Sequence, residues 1–281
     1  MVRSSNSAVR WLVLTVCLAS VSAVCGAEDE PASPEKKEQD EKSKRRLEIM
    51  KSSIDGFKVS STSSLPKSAL AFAKTPLLRY NDEARGFLDA GVWRLGETGR
   101  PTAFVTIELY RAGEAQALLT YEFISLSPAE YSMFSTRGIR WSPSQTDLKM
   151  VPLPDAPAPA DTAKGRLPQL RQLARRFAVH EDHAGNKVEC RLMPAPIDRY
   201  VDPDHKIVDG AVFAFATGTN PELGLLLETD GKEWSYGVFR MGAAALFIDL
   251  DGKPRHEIPN VQNYSMSASY TATRHTVALP E

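Results

Sequence analysis

The sequence predicts an α+β protein made by tandem duplication, in which each half is a helix followed by an antiparallel β-meander. Three observations predict this class. The chain repeats itself at an offset of 120 residues, each copy opens with a helical apolar stripe, and short connections separate successive strand patterns. Similar halves can bury their apolar faces against each other, so we expect them to pack with pseudo-twofold symmetry.

Ten identities define the repeat, with no gap over about sixty residues. They are mostly apolar or turn residues, which is typical of a preserved scaffold. They place a first repeat at residues 47–150 and a second at 166–260. The matched pairs are Leu47/Leu167, Phe57/Phe177, Val59/Val179, Pro76/Pro196, Arg79/Arg199, Tyr80/Tyr200, Asp89/Asp209, Val92/Val212, Pro101/Pro221 and Glu108/Glu228.

Residues 1–27 have the pattern of a secretory signal peptide. Arg3 and Arg10 flank the start of an apolar run, and small residues ending at Ala27 suit signal peptidase, with Ala23 as a second cleavage position. The alternative is a retained membrane anchor, although the run is shorter than the roughly 20 residues that a spanning helix needs. We therefore expect export to the periplasm or the extracellular space, with membrane attachment only through an uncleaved N-terminal segment.

The charge balance argues against nucleic acid as a partner. Removing residues 1–27 leaves 35 acidic against 32 basic residues, a net charge near −3, so there is no basic excess to hold phosphates. Cys190 would be the only cysteine left, which excludes an internal disulfide. Its apolar surroundings predict a buried small residue rather than a nucleophile.

Two segments outside the repeats are predicted from composition. Residues 28–46 are rich in Lys and Glu and too poor in apolar residues to fold, which predicts a disordered tether. Residues 151–165 are rich in proline and predict an extended connector between the repeats. The remaining residues, 261–281, are taken as a C-terminal tail.

Periodicity predicts the elements inside each repeat. The first helix carries its apolar stripe on Leu47, Met50, Ile54 and Phe57, and the second carries it on Leu167, Leu170, Leu173, Ala174 and Phe177. Asp230-Gly231 and Asp251-Gly252 are strong hairpin signals. The strand patterns are 69–73, 87–95, 101–110 and 118–124 in the first repeat, and 189–193, 207–215, 221–229 and 233–239 in the second.

Each repeat also contains one row of charged residues. Near-equal spacing about the intervening turns predicts that Arg79, Asp89 and Glu108 lie side by side on three strands. Opposite charges across a strand pair stabilise by about 0.2–1 kcal/mol, so we favour a structural ion pair. The alternative is a carboxylate pair that acts as general acid and base. The matching row in the second repeat is Arg199, Asp209 and Glu228.

Other patterns are weaker candidates for a site. The run from His180 to His183 lacks the spacing that places two metal ligands on one helical face, and no calcium loop is complete. We therefore expect neither a metal nor a cofactor. Trp141 and Trp234 are candidate aromatics for an apolar groove, and Trp141 is also our preferred contact between the halves.

Three segments resemble a known group of proteins: the proline-rich run at 152–157, the helix end at 173–177, and the strand and turn at 209–222. Over residues 47–260 the chain resembles a group of secreted planctomycete-type bacterial proteins with no assigned activity. The resemblance implies an exported location and the repeat boundaries given above. It implies no catalytic residue.

No motif in the sequence indicates a reaction. We therefore expect a non-catalytic envelope or periplasmic protein that binds a partner protein or small ligand or has a structural role. The alternatives are a secreted hydrolase that uses Asp89 and Glu108, or Asp209 and Glu228, and a membrane-tethered protein with an uncleaved N-terminal helix. A functional site is expected between the halves or where they diverge, as in the loops at 111–117 and 180–186.

Overall fold

The structure is a computed structural model that describes residues 33–61, 65–82 and 85–279. Of these residues 48% lie in strands and 17% are helical, and the described chain contains only two α-helices. The predicted α+β fold of two helix-then-meander halves, packed with pseudo-twofold symmetry, is therefore wrong. The protein is mostly β, with large curled antiparallel sheets. The predicted signal peptide at 1–27, and the retained anchor that is its alternative, lie outside the described residues.

The helices are α1 (Pro34–Asp55) and α2 (Ala163–Ala174). The strands that precede α2 are β1 (Phe57–Ser61), β2 (Leu78–Asp82), β3 (Phe87–Leu95), β4 (Ala103–Arg111), β5 (Gln116–Ser125), β6 (Tyr131–Ser135), β7 (Arg140–Trp141) and β8 (Val151–Pro152). The strands that follow α2 are β9 (Phe177–His183), β10 (Asn186–Leu192), β11 (Asp198–Asp202), β12 (Ile207–Thr217), β13 (Asn220–Thr229), β14 (Trp234–Arg240), β15 (Leu246–Leu250), β16 (Lys253–Ile258) and β17 (Tyr270–Ala278).

These strands form three antiparallel sheets of unequal size. The first part of the chain gives a three-stranded sheet, β1-β6-β7, and most of a five-stranded sheet, β17-β5-β4-β3-β2. The second part gives one nine-stranded sheet in the order β16-β15-β9-β10-β12-β13-β14-β8, with β11 beside β12. The sheets differ in size because the two parts of the chain differ just after their first strands. After Pro66 the first part forms a 3₁₀ helix at Lys67–Leu70, whereas β10 joins β9 to β12 in the second part.

Two strands from outside the predicted repeats pair with strands inside them. The connector strand β8 pairs with β14 of the nine-stranded sheet, and β17 pairs with β5 along nine residues from Tyr270 to Ala278. Most of the predicted C-terminal tail is thus the edge strand of the five-stranded sheet. The meanders are therefore not independent units, because strands from outside each predicted repeat complete the sheets.

Residues 34–46 are helical, which corrects the prediction of a disordered tether. Ser33 caps α1 by accepting a hydrogen bond from the amide of Lys36, and Pro34 lies at a position where its missing N–H costs nothing. Ion pairs such as Lys42 with Glu38, at 2.6 Å, connect successive turns. Local charge pairing and the packed apolar end of α1 offset the low apolar content that favoured disorder.

Three apolar cores hold the sheets together. One packs α1 against the five- and three-stranded sheets around Trp93 and Trp141, and a second packs α2 against the nine-stranded sheet around Phe213 and Tyr236. The third, which we call the seam, lies between the five- and nine-stranded sheets. Its residues include Val92, Phe104 and Ile124 from one sheet and Val212, Leu226 and Phe239 from the other. Strands β3, β4, β12 and β13 face a core on both sides, which explains their nearly continuous apolar sequences.

Positions 120 residues apart occupy the same register in the central hairpins. Arg79 pairs with Gly91 and Arg199 with Ala211, while Ala90 pairs with Glu108 and Gly210 with Glu228. The one-residue irregularities lie at different places, between Phe87 and Asp89 in β3 and between Phe215 and Ala216 in β12, and outside them the registers agree. The two hairpins can therefore be compared residue by residue.

Candidate functional site

Arg79 and Asp89 meet as an ion pair, but Glu108 does not join them. The Nε atom of Arg79 donates to Oδ1 of Asp89 at 2.8 Å, and its Nη2 donates to the Ser43 carbonyl of α1 at 2.6 Å. The register that the turn after Leu95 sets between β3 and β4 places Asp89 opposite Leu109 and Ala90 opposite Glu108. Since neighbouring strand residues point to opposite faces, Asp89 faces the α1 side while Glu108 faces the seam.

The second predicted row divides in the same way. Arg199 donates to Asp209 at 2.9 and 2.7 Å, and Arg166 of α2 donates to the same carboxylate at 2.8 Å. Asp209 pairs with Thr229, and Glu228 pairs with Gly210, so Glu228 faces the seam. Arg166 was missed because its position opposite Asp209 depends on how α2 packs. The hydrolase pairs expected from the sequence, Asp89 with Glu108 and Asp209 with Glu228, are each divided between two faces of a sheet.

Glu108 and Glu228 have equivalent positions but different partners. Glu228 accepts from the Tyr200 hydroxyl at 2.5 Å and is held by two nitrogens of Arg100, one of them at 2.8 Å. Glu108 accepts from the Tyr110 hydroxyl at 2.8 Å and more weakly from Tyr80 at 3.4 Å. Among the described residues, no basic side chain lies within 4.0 Å of the Glu108 carboxylate.

A second carboxylate, Glu122, lies next to Glu108 on the same face of the five-stranded sheet. Glu108 pairs with Thr120 and Thr106 with Glu122, so the two glutamates are diagonal neighbours with Cβ atoms about 7–8 Å apart. The Tyr270 hydroxyl donates to Glu122 at 2.5 Å. Burial raises the pKa of both carboxyls, and their mutual repulsion raises that of Glu122 further.

Glu108 and Glu122 both line a cavity of about 710 Å³. The register places Glu108, Thr120 and Arg274 in one row across β4, β5 and β17. The other side chains that matter for recognition are Tyr110, Arg111, Tyr264 and Thr273. The cavity thus brings together two carboxylates, two guanidinium groups and two tyrosine rings.

A separate ion network connects the two large sheets across the seam. Arg85 donates to Glu222 at 2.5 Å and to Glu181 at 2.9 Å, and Asn220 also donates to Glu222 at 2.8 Å. Burial raises the pKa of Glu222 to about 7 despite Arg85. Arg94 adds a second connection, to Asp198 at 2.6 Å. None of the three arginine ion pairs was predicted, because each joins residues that are 96 or more positions apart.

The predicted groove aromatics lie in packed cores. Trp141 is fully buried against Phe123 and Tyr131, at ring-centroid distances of 5.2 and 5.6 Å, and its indole N–H donates to the Ala268 carbonyl. Trp234 belongs to the core beneath α2. The groove prediction rested on these two residues being large and aromatic. Large aromatic side chains are buried in a core at least as readily as they contact a ligand.

The histidine run and the cysteine lie on neighbouring strands. His180 and His183 belong to β9, so they lie on a strand rather than in the predicted loop. Within the described residues, no group of three or more His, Cys, Asp or Glu side chains is arranged to hold a metal ion. Cys190 is buried, as predicted, and burial raises the pKa of its thiol to about 11.

Comparisons of the chain with protein-family models, curated proteins and solved structures give no match. The resemblance to the secreted planctomycete-type proteins therefore stays a prediction. In the part of the chain that the structure describes, no helix is long and apolar enough to cross a membrane.

Proposed function

We propose that the chain is an exported, non-catalytic binding protein, and that its site is the cavity over Glu108 and Glu122. The ligand we propose carries a positively charged nitrogen. The observation that supports this most strongly is the contrast between Glu108 and Glu228. Arg100 pairs directly with Glu228, whereas no described basic side chain lies within 4.0 Å of Glu108 and Arg85 acts on it only from a longer distance.

The contrast has a simple origin in the sequence. The position 120 residues after Arg100 is Asn220, whose amide donates to Glu222. Glu108 thus lacks the arginine that Glu228 has, and it faces a cavity instead. A buried carboxylate without a cation is costly when ionised. A ligand cation in the cavity would supply the missing charge.

The remainder of the cavity suits an organic cation better than a metal ion. A metal ion would require more carboxylate or imidazole ligands than the two glutamates supply. The rings of Tyr110 and Tyr264 line the cavity, and aromatic faces attract ammonium groups. The volume lies within the range of about 300–1,000 Å³ that is usual for small-molecule sites.

The binding test uses butylamine, with butanol as its neutral counterpart. We expect butylamine, but not butanol, to raise the melting temperature of the protein and to give a saturable calorimetric titration. Glu108→Gln and Glu122→Gln should abolish both effects while preserving the fold, because the amide oxygen still accepts the tyrosine hydrogen bonds. Glu233→Gln, at an exposed position, is the matched control. Undiminished butylamine binding by either cavity variant would refute the proposal.

A second candidate function is hydrolysis by Glu108 and Glu122. Their shared cavity favours it, since carboxyls with unequal pKa values can act as general acid and general base. Their diagonal spacing is compatible with the separations found in glycoside hydrolases. A panel of 4-nitrophenyl glycosides tests it. Release of 4-nitrophenol by the wild type and its loss in Glu122→Gln would favour the enzyme, whereas no release would favour the binding protein.

A further inference from the structure

We infer that the ligand of this cavity is a zwitterion, with a primary ammonium group held at Glu108 and Glu122 and a carboxylate held at Arg274 and Arg111. This inference rests on the proposed function and adds the second half of the ligand. It defines a chemical class: free amino acids, ω-amino acids and short peptides with both termini free.

The arrangement of charge across the sheet supports the inference. Arg274 lies in the same row as Glu108, with Thr120 between them. Neighbouring strands are about 4.8 Å apart, so the backbones of Glu108 and Arg274 are separated by roughly 10 Å. Both side chains are long and line the same cavity. Opposite charges therefore face one ligand-sized space.

The two arginines are available for a ligand carboxylate. Arg111 and Arg274 are both exposed, and neither makes an ion pair within 4.0 Å among the described residues. A guanidinium group binds a carboxylate through two parallel hydrogen bonds. A ligand with an ammonium group alone would leave this side of the cavity unused and would be repelled by it.

Thr106 lies next to the two glutamates on the sheet but does not line the cavity itself. Thr106 is 1% exposed, and its hydroxyl has no hydrogen-bond partner within the described structure. Thr106 lies directly across from Glu122 and two residues before Glu108 on β4, so all three side chains project from the same face. An ammonium group has three N–H donors, and the acceptors that the cavity offers it are the carboxylates of Glu108 and Glu122.

Calorimetry with three probes of equal chain length tests the inference: 6-aminohexanoate, hexylamine and hexanoate. We expect 6-aminohexanoate to bind the wild type at least about tenfold more tightly than hexylamine, and hexanoate not to bind. Arg274→Gln should remove most of that difference without weakening hexylamine binding, because it also removes the repulsion of the ammonium group. Arg171→Gln, on the exposed face of α2, should behave like the wild type.

The outcomes separate the two proposals. Equal affinity of the wild type for hexylamine and 6-aminohexanoate would overturn the zwitterion inference and leave the amine site standing. Binding of neither probe would overturn both. An advantage of 6-aminohexanoate that persists in both Arg274→Gln and Arg111→Gln would also overturn the inference, because the carboxylate would then be recognised elsewhere.

Discussion

The environments of Glu108 and Glu228 show how one backbone position can serve two purposes. Both carboxylates lie at the same register of a β-hairpin and face the seam. Arg100 pairs with Glu228 at 2.8 Å, so Glu228 belongs to a buried structural contact. Glu108 has only tyrosine donors and opens onto a cavity. The presence or absence of one arginine thus distinguishes a structural contact from a candidate ligand site.

The largest expected loss of stability follows from removing the ion pair between Arg100 and Glu228. Arg100→Met leaves Glu228 buried with only the Tyr200 hydroxyl, and breaking a buried ion pair in this way costs about 3–5 kcal/mol. Arg100 is one-quarter exposed, so we expect the lower end of that range. Urea denaturation measures the change. A loss below about 1 kcal/mol, the value of an exposed pair, would show that the ion pair is not structural.

Adding an arginine near Glu108 should make its surroundings resemble those of Glu228. Asn220→Arg places a guanidinium group at the repeat position of Arg100, beside Glu222, whose carboxyl interacts with that of Glu108. We expect the new guanidinium group to pair with Glu108. A hydrogen bond to a charged group contributes about 1.5–3 kcal/mol, so the free energy of unfolding should rise. Butylamine binding should disappear at the same time. A variant that gains no stability and still binds butylamine would show that the two regions are not equivalent.

The pH dependence of stability should reveal the three buried carboxyls whose pKa values are raised by burial. The pKa of Glu222 rises from 4.5 to about 7 on folding, and the pKa values of Glu108 and Glu122 also rise. The folded state therefore holds protons that the unfolded state releases, so stability is greatest below pH 4.5 for these groups and falls as the pH rises toward 7.

Denaturation between pH 4.5 and 7.5 measures this dependence. Each carboxyl contributes at most about 1.4 kcal/mol per pH unit, and Glu222→Gln should remove its share of the slope. The Asp89→Asn variant serves as a comparison that should retain the slope, because it leaves all three glutamates in place. A stability that rises across this range in the wild type would contradict the assignment of raised pKa values.

The smallest effect concerns the two aspartates on the other face of the sheets. Asp209 has two arginines, Arg166 and Arg199, whereas Arg79 is the only arginine in contact with Asp89 among the described residues. Arg79→Gln should therefore destabilise the protein more than Arg199→Gln, by about 1 kcal/mol. Paired thermal denaturation curves check the difference. Equal losses would mean that Arg166 does not compensate.

Parts of this arrangement could be predicted and parts could not. The spacing of Arg79 and Asp89 about a single turn was enough to bring them together, because β2 and β3 are joined by a short connection. The position of Glu108 was not predictable, since the symmetry assumed about the turn between β3 and β4 was wrong by one residue, and Glu108 pairs with Ala90 rather than Asp89. Glu122 carried no signal in the sequence, because its importance comes from β17, which arrives from the other end of the chain.

The sequence by itself determined the local features of this protein. These include the position of α2, most strand positions, the burial of Cys190 and the tight turn at Asp251-Gly252, where both residues have positive φ. Such features depend on periodicity and on the allowed conformations of a few neighbouring residues. Only the tertiary structure decided the mostly β fold, the pairing of β17 with β5 and the cavity over Glu108 and Glu122. The physical reason is that register and strand exchange depend on contacts between distant segments, and a shift of one residue changes which charges meet.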